Sequence, residues 1–212
     1  SLVKKQLINN AEGNNKYENE LKILFHEIDI LSLEEAKKVA EPISFINLLN
    51  IDASISEDVS EFACDLLNRL SKNIQSFFTI TTQEEVKRSN EGIIDITTSD
   101  YTNDFFIYVN SLNHKSLRDE IKSQFEEVQI KNNNEVIIKK RKVHKNPLIL
   151  LVSINRTFFD KRIQKKSNVP FKINKYLDFY SEKYKLFASV VHPGKRFENG
   201  HYTSMFDCGK YW

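Results

Sequence analysis

Tyr184-Lys185-Leu186-Phe187-Ala188-Ser189-Val190-Val191-His192-Pro193-Gly194 is the stretch from which the rest of the chain can be read. Tyr184, Leu186, Ala188 and Val190 alternate with Lys185, Phe187, Ser189 and Val191, the two-residue period of a strand whose side chains point to opposite faces. Pro193-Gly194 and Asn199-Gly200 are turn dipeptides that bracket a loop, and a second β-rich run follows in His201-Tyr202-Thr203-Ser204-Met205-Phe206. The pattern predicts a hairpin with His201 at the mouth of its return strand.

At 212 residues and 40% hydrophobic content, the chain can bury one good core or two small ones. A net charge of +2 with interspersed signs gives no reason to expect nucleic acid as a partner. The basic run Lys139-Lys140-Arg141-Lys142 is short and reads as a solvated loop. Only 2 cysteines occur, with no Cys-x-x-Cys pair, which argues against a disulfide framework and a structural zinc site and favours a reducing compartment. The longest apolar run, residues 147–152, is too short to cross a bilayer, and no charged-then-apolar leader opens the chain, so a soluble protein without a membrane partner is expected.

Leu21, Leu24, Phe25 and Ile28 recur at helical spacing and are expected to face a core, with His26 beside them as a surface or half-buried residue. Residues 33–39 read as a short helix or turn closed by Pro42, and Ile43, Phe45, Ile46, Leu48 and Leu49 form a further apolar patch. Residues 56–70 carry the best-defined helix. Ser56 is its expected cap, Glu57 and Asp58 lie in the first turn where the helix dipole favours acids, and Val59, Phe62, Ala63, Leu66 and Leu70 make one stripe. Beyond Phe77-Phe78 the chain turns β-rich and polar, with strands expected over 78–82, 93–97 and 105–109. Leu117, Ile121 and Phe125 recur at four-residue steps and predict a short helix over 116–125. Asn132-Asn133-Asn134 reads as a hairpin tip between two β runs, and residues 147–154 form a continuous apolar run suited to a strand buried on both faces. His114 and His144 lie in polar stretches and are expected to be solvated.

The ordered set Tyr184-x-Leu186-x-Ala188-x-Val190-x-His192-x-Gly194, a short loop, Gly200-His201-Tyr202 and a nearby Trp resembles the histidine box of the ubiquitin-specific protease family of deubiquitinating cysteine peptidases. Further landmarks follow the same order. Asp58-Val59-x-Glu61-Phe62 before Leu66-Leu67-x-x-Leu70 resembles the family's Gln-Asp-x-x-Glu-Phe helix, with Glu57 in place of the glutamine. Residues 147–154 followed by Arg156-Thr157-Phe158 resemble its strand ending in Arg-Phe with one residue inserted, and Val169-Pro170-Phe171 and Leu177-Asp178 stand where the family has Phe-Pro and Leu-Asp.

The resemblance implies an α+β, papain-like cysteine peptidase fold of the ubiquitin-specific protease type, with a helical thumb, a β palm and β fingers. The thumb-like lobe would be residues 1–82 and the palm and fingers residues 83–212. It implies His201 as the general base, and Asp58, Glu61, His192, Gly200 and Tyr202 as residues meeting the ubiquitin tail. The partner would be ubiquitin or a ubiquitin-like protein, with a larger protein assembly as a further expectation, in the cytoplasm or nucleus. No cofactor is implied, and no metal, since the finger-tip cysteines of many members are missing.

Thiol catalysis needs a thiolate, a base in hydrogen-bond reach, a group that orients the base and donors for the oxyanion. Only the base is visible. Ser1-Leu2-Val3 resembles the residues that follow the family's catalytic cysteine, so the nucleophile is expected just upstream of Ser1, the orienting Asn or Asp beyond Trp212, and the chain reads as a fragment. Cys64 lies mid-helix and reads as a packing residue, and Cys208 precedes Gly209 in a turn on the far side of a strand from His201. Two other readings stand beside the peptidase. One is a catalytically inactive relative that binds ubiquitin or acts as a scaffold in an assembly. The other is an unrelated thiol hydrolase using Cys64 or Cys208.

Overall fold

The computed structural model describes residues 4–5, 15–33, 39–52, 58–90, 93–132, 135–194 and 201–207. The chain divides into two compact units, Ser1–Phe78 and Thr79–Trp212.

The first unit is helical: α1 (Lys16–Leu33), α2 (Ile43–Leu49), α3 (Val59–Arg69) and α4 (Lys72–Gln75). Asn15 starts α1 by accepting from the backbone N–H groups of Tyr17 at 3.0 Å and Glu18 at 3.2 Å. Its amide also donates to the Arg69 carbonyl at 2.8 Å, so one side chain closes the start of α1 and the end of α3. Glu18 is 1% exposed and accepts from the Ser71 backbone N–H at 2.6 Å, which satisfies a carboxylate that would otherwise be costly to bury. Phe45, Leu49, Leu67, Leu70 and Ile74 are buried. The α1 stripe runs shorter than its spacing predicts. Leu21, Leu24 and Phe25 are half-buried, but Ile28 is 45% exposed. The 7-residue α2 is about 10 Å long and does not cover the roughly 27 Å of α1.

The second unit contains β1 (Ile80–Asn90), β2 (Ile93–Thr98), β3 (Thr102–Asp104), β4 (Phe106–Asn110), α5 (Leu117–Phe125), β5 (Val128–Asn132), β6 (Glu135–Lys145), β7 (Leu151–Asn155), β8 (Thr157–Asp160), β9 (Ile163–Lys166), β10 (Tyr176–Phe179), β11 (Glu182–Lys185), β12 (Ala188–Val191) and β13 (Thr203–Phe206). Its core joins Ile80, Ile107, Val109, Leu117, Ile121, Leu177 and Phe179. Ser116 caps α5 by accepting from the Asp119 N–H, and α5 lays Leu117 and Ile121 against β4, which pairs in parallel with β7. Glu120, 3% exposed on the same helix, accepts from His114 Nδ1 at 2.6 Å, the Asn110 N–H at 3.3 Å and the Asn113 amide at 3.4 Å. Burial alone would raise its pKa, but the hydrogen bond from His114 and those from Asn110 and Asn113 outweigh it and hold Glu120 below the usual carboxylate range. His114 is exposed, as expected, and is also tied to a buried acid.

The largest sheet runs β2-β1-β6-β5, with β3 also on β1. Here the basic run is a strand, not a loop. Lys140 and Arg141 of β6 stand opposite Glu85 and Glu84 of β1, and Lys142 reaches Glu85 at 2.6 Å. Acids across the ladder thus make the basic run a good strand partner. The apolar run 147–154 is also differently placed: β7 begins only at Leu151, is half-buried and pairs with β4, while Leu148 is 53% exposed. Pro147 has no N–H to give a ladder, and its carbonyl instead accepts from the Tyr184 hydroxyl at 2.5 Å. Among the described residues no helix is long and apolar enough to cross a membrane.

Candidate active site

The strand predicted from Tyr184 onward forms as two ladders. β11 pairs with β10, and β12 pairs with β13 in the register Ala188↔Phe206 to Val191↔Thr203. Between them the Leu186 N–H donates to the Lys175 carbonyl and the Asp207 N–H to the Phe187 carbonyl, each at 2.8 Å. Lys185 pairs with Asp207 at 2.6 Å, and that carboxylate raises the Lys185 pKa above its ordinary value. One extended run therefore changes partner at Leu186-Phe187.

The β12–β13 register carries on to the two side chains just past the ladder. His192 and Tyr202 meet with ring centroids 5.0 Å apart and planes at 50°. His201 precedes Tyr202 and is exposed. An exposed imidazole at a hairpin mouth can take a proton from a thiol brought within about 3 Å of it. Lys166, at the end of β9, donates to the His192 carbonyl at 2.6 Å and the Gly194 carbonyl at 2.8 Å, and its Nζ lies 3.2 Å from His192 Nδ1. Nothing in the sequence pattern singles out Lys166, because its acceptors are backbone atoms 26 and 28 residues further on. Gly200, Cys208 and Trp212 lie outside the described residues.

In the first unit Asp58 is the N-cap of α3. Its Oδ1 accepts from the Ser60 N–H at 2.7 Å and the Glu61 N–H at 3.2 Å. The expected cap, Ser56, and Glu57 lie outside the described residues, so the acid expected in the first turn is itself the cap. Glu61 is exposed in that turn, and Cys64 is half-buried on the same helix. Asp58, Glu61 and Cys64 thus belong to the first unit, and His192, His201 and Tyr202 to the second. Among the described residues no group of three His, Cys, Asp or Glu side chains is placed to hold a metal ion.

A helical unit followed by a β-rich unit with a long two-faced sheet and a histidine-bearing hairpin is the α+β, papain-like fold of the ubiquitin-specific deubiquitinases. A family model described as "Ubiquitin carboxyl-terminal hydrolase" matches residues 2–212, and the chain belongs to that family. Among solved structures, a chain of the "Structure of the Ubp8-Sgf11-Sgf73-Sus1 SAGA DUB module" is similar with a TM-score of 0.69 and 20% identity, a likeness of fold. The match covers 95% of this chain and 51% of that one, so the chain spans about half the length of the solved chain it resembles. No curated protein sequence matches it.

Proposed function

We propose that these residues are most of the catalytic domain of a thiol peptidase that cleaves after the C-terminal glycine of ubiquitin or a ubiquitin-like protein. The observation that carries this reading is His201, exposed at the hairpin mouth within a domain of the hydrolase family. His201 is the general base. It takes the proton of a cysteine that is neither Cys64 nor Cys208. The thiolate adds to the carbonyl of the terminal glycine, His201 returns the proton to the leaving amine, and water then hydrolyses the thioester. Residues 1–82 act as the thumb and 83–212 as palm and fingers. Asp58 and Glu61 face the basic tail of ubiquitin, and His192, Gly200 and Tyr202 flank its end. The likeness to a chain from a multi-protein module supports a larger assembly as the setting, in the nucleus or cytoplasm.

The test is reaction of the full native chain with ubiquitin bearing a C-terminal electrophile. Wild type is expected to form a covalent adduct and His201→Ala none, while Cys64→Ala and Cys208→Ala form it undiminished. An adduct that survives His201→Ala ends the reading, and loss of the adduct in either cysteine variant moves the nucleophile to that cysteine. A wild-type chain that binds ubiquitin without reacting is the inactive scaffold instead.

A further inference from the structure

We propose that Lys166 is a positioning residue that clamps the hairpin mouth and thereby sets where His201 stands; the proposal rests on the reading of His201 as the peptidase base. An ammonium has three protons and no acceptor. Lys166 Nζ has three acceptors in reach, the carbonyls of His192 and Gly194 and the His192 Nδ1, at 2.6, 2.8 and 3.2 Å. Both carbonyls lie past the last ladder residue of β12, Val191, and that of His192 also accepts from the Gly194 N–H at 2.9 Å. One cation therefore ties together the tight turn His192–Gly194 that leaves β12.

The clamp is anchored on a neighbouring hairpin. Lys166 pairs with Thr157 across the β8–β9 hairpin, and the next residue, Ser167, is 5% exposed and donates its N–H to the Arg156 carbonyl at 2.7 Å. What it holds needs holding. A two-stranded ribbon is marginal alone, and β12–β13 leaves Val190, Met205 and Phe206 exposed at 51%, 45% and 60%. Lys166 grips the outgoing strand at His192, and the His192 ring meets Tyr202 on the return strand. His201 is one peptide bond further on. A displacement of about 1 Å in a catalytic group costs on the order of 10²-fold in rate. The contact also fixes a tautomer: with the ammonium donating, Nδ1 of His192 accepts and its proton sits on Nε2.

The experiment uses the full native chain with a fluorogenic amide of the ubiquitin C-terminus, comparing wild type with Lys166→Met, His201→Ala and Lys165→Met. Lys165 pairs with Asp160 at 2.6 Å on the same hairpin and serves as the control for removing a nearby positive charge. Lys166→Met is expected to lower kcat by about 10- to 100-fold with a smaller rise in KM, since the base and the tail-flanking His192 and Tyr202 shift together and the chemical step suffers most. Lys165→Met is expected to match wild type. Wild-type kcat in folded Lys166→Met, with His201→Ala inactive, overturns the clamp and leaves the peptidase reading standing. Activity surviving His201→Ala ends that reading and the clamp's purpose with it. Nitrogen-15 NMR of the wild-type histidines decides without any variant: His192 in the Nε2–H form supports the clamp, and the Nδ1–H form overturns it, even if Lys166→Met does not fold.

Discussion

The start of α3 and the mouth of the β12–β13 hairpin were both marked by the sequence as places where ubiquitin would be met, and they hold their marked residues in different ways. At α3 the local backbone already uses the acid: Asp58 closes two of the helix's free N–H groups. At the hairpin His201 lies outside the ladder and is exposed, while its neighbour Tyr202 packs on His192. A residue with a structural task is weaker evidence for a site than one whose placement the fold does not require.

Four measurements break or sharpen that contrast. The largest effect is expected from His201→Ala, a loss of kcat/KM of at least about 10³-fold at unchanged melting temperature, because under the proposed function it removes the base and the imidazole is exposed. Next comes Glu120, a side chain wholly committed to structure. Glu120→Ala is expected to cost about 2 kcal/mol in urea unfolding, since it strips a hydrogen-bonded carboxylate from a buried position. The sign of its pH dependence follows from its lowered pKa: the stabilisation is complete above the unfolded value of about 4.3 and is lost as pH falls through the folded value. Wild type is therefore expected to lose stability below about pH 4 more steeply than Glu120→Gln. Smaller still, Asp58→Ala is expected to cost about 1 kcal/mol and Asp58→Asn, which keeps a capping oxygen, almost none. If Asp58→Asn nonetheless raises KM for ubiquitin, the cap has a second task and the contrast softens. The smallest is Glu61→Gln, expected to raise KM up to about fivefold, the range of an exposed ion pair, at a stability cost of about 0.5 kcal/mol from the lost first-turn charge.

Much of this fold is legible in the residues, and the gaps have physical causes. The Ser116-capped α5 and the hairpin around Asn132-Asn133-Asn134 follow from periodicity and turn chemistry. The β8–β9 hairpin does not, because its turn places Lys161 and Arg162 at φ 47° and 69°, positions where glycine or asparagine would have announced it. The far half of β1 is missed for a different reason: Glu84, Glu85, Lys87 and Arg88 are half-buried or exposed among cross-strand charges, so no apolar alternation exists to be seen. At the site, the hairpin and His201 could be read locally. The Lys166 contacts could not, since they join a side chain to distant backbone atoms.

The outer half of the β1–β6 pair, residues 84–90 and 135–141, has no fully buried residue and settles its alignment by charge as well. Strands wet on both faces are prone to slippage, because neither face is committed to a core. Here, sliding β6 two residues along β1 in one direction would set Lys87 against Lys140 and Arg88 against Lys139, and in the other would pair Glu84 with Lys139 and Arg88 with Glu135 but leave Glu85 facing Ile138. Only the observed frame sets the acids Glu84 and Glu85 opposite Arg141 and Lys140 while Lys87 and Arg88 face Ile138 and Ile137. The run of cations in β6 thus bars one slip by repulsion and, in the other, costs Glu85 the cation directly across from it.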